Sequence, residues 1–171
     1  SDYSHLEKID TGKMRYISPQ LRDYQAYMID PVQLQGGHKQ LNPQQRAEVA
    51  RYMHDALAKV LREGGYQVVT EAGVGVARFR LAITDIQDAK WYLNIHPATK
   101  VTGAGRGGAS MEAEVIDSVT GDQLAAAIRS GRGNEFELNP FSTIEDVKGV
   151  IDRWAKDAGE RLKELRAGQD S

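Results

Sequence analysis

Four groups of residues in this chain are candidates for binding or catalysis. Gly103-Ala-Gly-Arg-Gly-Gly108 has the glycine spacing of a dinucleotide fingerprint. That motif works only where a strand turns into a helix whose N-terminus receives the pyrophosphate. A strand pattern comes next here, so the segment reads as a loop, with Arg106 able to contact an anion beside a nest of backbone amides. Gly131-Arg132-Gly133 reads as a similar turn, and Arg129 closes the strand pattern before it. Arg106, Arg129 and Arg132 are therefore the candidate anion or partner contacts.

Glu112 and Glu114 stand two apart on a strand pattern and so share a face, as paired acid and base groups sometimes do. Arg78 and Arg80 repeat the same spacing on an earlier strand pattern. If the two strands are neighbours, the carboxylates are exposed ion-pair partners rather than catalysts. His5, His38, His54 and His96 are isolated from one another and from ligand clusters, although His54 adjoins Asp55. There is no Gly-x-Ser-x-Gly nucleophile elbow. No catalytic, cofactor-binding or metal-ligating residue is assigned, and the chain is not expected to be an enzyme. Tyr3, Tyr16, Tyr24 and Tyr27, with Trp91 and Tyr92, either pin irregular chain to the core or form an aromatic contact surface.

Composition narrows the setting. At 171 residues the chain suits one domain with a real core, and its 40% hydrophobic and 27% charged shares are ordinary for globular proteins. The 22 basic and 24 acidic residues are interspersed, giving a net charge of -2 without the basic stripe that a phosphate backbone requires. Nucleic acid is not an expected partner. Cysteine is absent, which excludes disulfides and thiolate chemistry within these residues. No apolar run reaches the roughly 18 residues of a transmembrane helix.

Periodicity lays out the secondary structure that carries these groups. Residues 1–41 read as an arm and a first strand belonging to the same domain as the main body, which spans residues 42–166. The arm is irregular to about Tyr24, and the strand pattern over Tyr24 to Gln35 should be bulged or held at an edge by Pro31. Asn42-Pro43-x-Gln45 predicts a capped helix start, and Val49, Ala50, Met53, Leu57, Val60 and Leu61 make its apolar face. Gly64-Gly65 ends it. Tyr66 to Thr70 is a strand pattern, and Val76 to Thr84 alternates with Ala77, Phe79, Leu81 and Ile83 inward. Residues 85–102 show no clean period and read as a loop that re-enters the sheet.

Met111 to Ile116 and Gln123 to Arg129 then form a hairpin around Asp117-Ser-Val-Thr-Gly-Asp122, with Gly121 at a positive-φ exit. Met111, Ala113, Val115, Leu124, Ala126 and Ile128 are expected on one buried face. Ser142-Thr-Ile-Glu145 is a capping box before a second amphipathic helix running to about Arg166, and residues 167–171 should fray. The expected architecture is α+β: a single, largely antiparallel sheet with two amphipathic helices packed on one face.

The opening Ser1-Asp-Tyr-Ser-x-Leu6, Leu81-Ala-Ile-Thr-Asp85, Glu112-Ala-Glu-Val-Ile-Asp-Ser-Val-Thr-Gly121 with Leu124-Ala-Ala-Ala, and Trp154 resemble bacterial lipoproteins of the domain of unknown function 3313 family. The resemblance spans nearly the whole chain. It implies a Gram-negative envelope setting, on the periplasmic face of a membrane such as the outer membrane, with a lipidated cysteine upstream of Ser1 as anchor. It transfers no catalytic residues. The expected function is a non-catalytic envelope domain acting through contacts with a protein partner or as a homo-oligomer, without a cofactor. The alternatives are a small-ligand or anion-binding module beside the sheet, and an enzyme whose site assembles only in space.

Overall fold

In the computed structural model, which describes residues 7–10, 13–35, 42–85, 109–130 and 144–168, helix α1 (Pro43–Glu63) starts as its sequence dictates. The Asn42 side chain accepts the Gln45 N–H, and the Gln45 side chain accepts the Asn42 N–H, each at 2.9 Å. Two of the amides that a helix start leaves unpaired are thereby satisfied. Pro43 occupies the first turn, where it displaces no hydrogen bond. At the other end Gly65 takes φ +82°, a conformation that costs glycine nothing. Val49, Met53, Leu57, Ala58 and Leu61 are buried. Each of the larger ones contributes about 1.5–3 kcal/mol of gross transfer free energy. Helix α2 (Ile144–Ala167) buries Val147, Ile151, Trp154 and Leu162 in the same core. The capping box expected at Ser142 lies outside the described residues. No described helix is long and apolar enough to cross a membrane.

Eight strands make one sheet: β1 (Glu7–Asp10), β2 (Lys13–Ile17), β3 (Ala26–Ile29), β4 (Gln33–Gln35), β5 (Gln67–Val69), β6 (Val76–Asp85), β7 (Ala109–Asp117) and β8 (Gln123–Ser130). Their order is β1-β2-β8-β7-β6-β3-β5, and β4 also pairs with β6. The β1, β2, β8, β7 and β6 neighbours are antiparallel. The β3–β6, β4–β6 and β3–β5 pairs are parallel. The sheet is thus mixed: antiparallel across its long strands, as their alternation suggested, but parallel where β3, β4 and β5 join it. The reason is topological: α1 lies between β4 and β5 in the chain and supplies the crossover that parallel strands need.

Two further expectations change. The irregular arm contains β1 and β2, which extend the sheet beyond β8, and a 3₁₀ turn at Pro19–Asp23. The strand expected around Pro31 is β3 and β4, both running along β6. Between Ile29 opposite Phe79 and Gln33 opposite Ala82, this chain uses one residue more than β6 does. The extra residue falls in the break between β3 and β4, where Pro31 has no N–H to give to the ladder.

Ala77, Phe79, Leu81 and Ile83 of β6, with Met111 and Val115 of β7, meet residues of α1 and α2 in one core. Tyr27 is wholly buried there, its ring 5.0 Å from Tyr66 and 5.5 Å from Phe79. Both helices cover this face, as expected. The hairpin faces do not sort as expected. A bulge between Val115 and Ile116 leaves Leu124 as an extra residue in β8, so Ala126 and Ile128 lie opposite Glu114 and Glu112 rather than beside Met111. One inserted residue reverses the alternation of everything after it.

Candidate functional site

Two of the three arginines proposed as anion contacts, Arg106 and Arg132, lie outside the described residues. Arg129 is placed by its backbone in β8, opposite Met111 and Lys13. Of the histidines, only His54 is described; its Nδ1 stands 3.1 Å from Asp55 at the exposed surface of α1. Among the described residues no three His, Asp or Glu side chains are grouped to hold a metal.

The paired glutamates are found where strand geometry puts them, on the face of the sheet away from the helices. Glu114 lies opposite Arg80, as expected, and Arg80 Nη1 stands 3.8 Å from its carboxylate. Gln123 Nε2 donates to Glu114 Oε1 at 2.8 Å. Glu112 lies opposite Ala82 and Ile128, not opposite an arginine. Arg78 turns instead to Asp30 at 2.7 Å, and Arg80 stands between Asp30, at 3.7 Å, and Glu114. Neither glutamate is exposed: Glu112 is 5% and Glu114 7% accessible.

Glu112 Oε1 has no hydrogen-bond partner among the described residues, and burial pushes its carboxyl up to about 7. A carboxyl titrating there has the pKa of a general acid or base. Its cross-strand neighbours are an alanine and an isoleucine. Sequence reasoning paired both glutamates with arginines; the register that separates them depends on the length of chain between β6 and β7.

A second group of residues was not singled out by sequence. The described residues expose two large apolar side chains, Val74 at 98% and Val119 at 62%. Val74 sits on the loop between β5 and β6, and Val119 on the tip of the β7–β8 hairpin. Ser118 joins the two loops. Its hydroxyl accepts the Gly73 N–H at 3.1 Å and donates to the Gly73 carbonyl at 3.0 Å, while its own N–H reaches the Val76 carbonyl at 3.0 Å. Asp117 Oδ1 accepts the Val119 and Thr120 amides, both at 2.7 Å, and its Oδ2 accepts the Tyr24 hydroxyl at 2.6 Å. These bonds hold the Asp117 carboxyl below its usual range. Gly75 and Gly121 turn the two loops at φ +76° and +79°. The valines therefore stand on a braced platform. Glu71, Asp117 and Asp122 lie in the two loop segments, 70–75 and 117–122, and neither segment contains lysine or arginine.

Next to this apex, the ends of α1 and α2 leave a cleft of about 290 Å³. Val60, Gly159, Leu162 and Tyr66 supply its apolar lining, and Glu63, Lys163 and Arg166 are its charged members. The Arg166 guanidinium stacks 4.1 Å over the Tyr66 ring and donates to the Gly64 carbonyl at 3.2 Å and to Gln25 Oε1 at 2.7 Å. A cation at the carbonyl end of α1 complements the helix dipole. Apex and cleft share one end of the molecule, because Gln67, which follows Tyr66, and Val76, which follows the apex loop, both pair with Ala26 of β3.

A family model described as a protein of unknown function, DUF3313, matches residues 1–158. Among solved structures, the chain is similar to a DUF4136 family protein from Bacteroides thetaiotaomicron, with 10% identity, 88% of this chain and 98% of that one covered, and a TM-score of 0.52. It is also similar to a neuraminyllactose-binding hemagglutinin homolog from Helicobacter pylori, with 10% identity, 86% and 87% coverage, and a TM-score of 0.50. At such identities the likeness is one of fold. A search of curated proteins finds no match.

Proposed function

The chain belongs to the DUF3313 family, and on that premise we propose that it is a non-catalytic domain of the bacterial envelope that works through protein contacts. The observation that carries this reading is the apex. Both large apolar side chains that the described residues expose, Val74 and Val119, fall on two loops that Ser118 locks together. Scattered exposed apolar residues need no explanation, but two on one braced platform fit a contact surface whose ordering cost is met before binding. The envelope setting rests on the lipoprotein resemblance of the sequence, which implies a lipid anchor ahead of Ser1 and a domain on the periplasmic side.

The test is made in cells with the full-length protein. A photoreactive residue at Val74 should give discrete protein adducts, whereas the same residue at exposed Arg51 of α1 should not. Mass spectrometry of the same protein should find an acylated N-terminal cysteine. Equal labelling from both positions would remove the apex as a contact surface, and an unmodified N-terminus would remove the anchored setting.

A further inference from the structure

The apex and the cleft beside it are complementary in both polarity and charge. The apex presents Val74 and Val119 with Glu71 and Asp122. The cleft presents Val60, Leu162 and the bare backbone of Gly159 as apolar lining, with Lys163 and Arg166 at its mouth. Glu63 is also there, and Lys59 Nζ stands 3.9 Å from its carboxylate. A patch that carries both halves of a complementary contact side by side can close on itself under a two-fold rotation, in which residue i meets j and j meets i.

We infer that the occupant of the cleft is the apex of a second copy of this chain, in a closed two-fold dimer in which Val74 enters the cleft and Glu71 faces Lys163. This rests on the reading of the apex as a protein-contact surface and names its partner. The three carboxylates of the apex segments disfavour an anionic lipid surface, and an apex-to-apex pairing would oppose like charges. Gly159 lets α2 approach Val60 of α1, and the cleft lies beside this close approach, between the helix ends. Tyr66 closes its floor and donates its hydroxyl to the Leu162 carbonyl at 3.3 Å.

The experiment is sedimentation velocity on the 171-residue chain over a range of concentrations, with four variants whose altered side chains are exposed. Wild type should move from monomer to dimer and stop there. Val74→Asp should weaken association at least about 10-fold, and Glu71→Lys or Lys163→Glu alone by about 3- to 10-fold. Glu71→Lys combined with Lys163→Glu should recover most of the loss, which a merely structural role for either residue would not give. Circular dichroism checks that each variant keeps its fold. A chain that stays monomeric to about 1 mM, a dimer indifferent to Val74→Asp, or a charge swap without recovery would overturn the inference. Adducts from Val74 to a different protein in cells would then leave the protein-contact reading standing without the dimer.

Discussion

Gly159 of α2 lies so close to Val60 of α1 that a Cβ added to the glycine would overlap Val60 Cγ1. Glycine is a poor helix former, so its place inside α2 answers to this approach rather than to propensity. Gly159→Ala gains about 1 kcal/mol of helix propensity and loses about 1–3 kcal/mol to overpacking, since a β-branched neighbour has little rotamer freedom to yield. A net loss of about 1 kcal/mol is expected in urea denaturation. Val60→Ala should remove the conflict, so the double mutant should be more stable than the sum of the two single changes predicts.

Tyr24 reaches Asp117 across the fold with a 2.6 Å hydrogen bond and is pushed up to about 12 by burial and by that bond. Tyr24→Phe should cost about 1 kcal/mol at neutral pH, a value kept low because the carboxylate is partly solvated. The Asp117 carboxyl is held below its ordinary value of 3.8, first by Tyr24 and then by the turn amides. Its contribution is therefore complete above 3.8 and is lost as pH falls through the lower, folded value. The stability gap between wild type and Tyr24→Phe should narrow on acidification, as read from denaturation midpoints at successive pH values.

Tyr27 poses the opposite case. It is fully buried between Tyr66 and Phe79, and its hydroxyl has no hydrogen-bond partner among the described residues. Burial pushes the phenol well above its usual range. An unpaired hydroxyl in an apolar core costs about 1–3 kcal/mol by mutational scales. Tyr27→Phe keeps the ring packing and removes that cost, so it should raise the thermal midpoint by several degrees. A loss of stability would mean that the hydroxyl is bonded in solution.

Local chemistry was legible in the sequence and long-range pairing was not. The Asn42 and Gln45 cap, the Gly65 stop and the Asp117 to Asp122 turn each depend on residues within a few positions of one another, and each forms as read. The parallel pairing of β3 with β6 joins residues separated by α1, and no local pattern encodes it. The same holds for Glu112. Its spacing from Glu114 told which face it occupies, but its exposure depends on register across β6 and β8. The apex was missed because a lone valine in each of two turns carries no periodic signal; the two turns meet through the pairing of β6 with β7 and through Ser118.

Glu112 gives the sharpest pH prediction. Its carboxyl rises from 4.5 to about 7 because burial disfavours the charged form. The charged groups on its face do not relieve it: Arg80 stands 3.7 Å from Asp30 and 3.8 Å from Glu114, and Arg78 stands 2.7 Å from Asp30. The native state therefore holds this proton more tightly than the unfolded chain does. The contribution of Glu112 to stability is greatest below 4.5, falls as pH rises toward 7, and stays lowered above that. The full shift would correspond to about 3 kcal/mol, and partial solvation reduces this to about 1–2 kcal/mol. Glu112→Gln removes the titration while keeping the shape. It should therefore exceed wild type in stability by about that amount at pH 8 and lose the advantage below 4.5. Urea denaturation of both proteins across this range is the measurement. Parallel curves at every pH would show that Glu112 is ionised and hydrated in the folded chain.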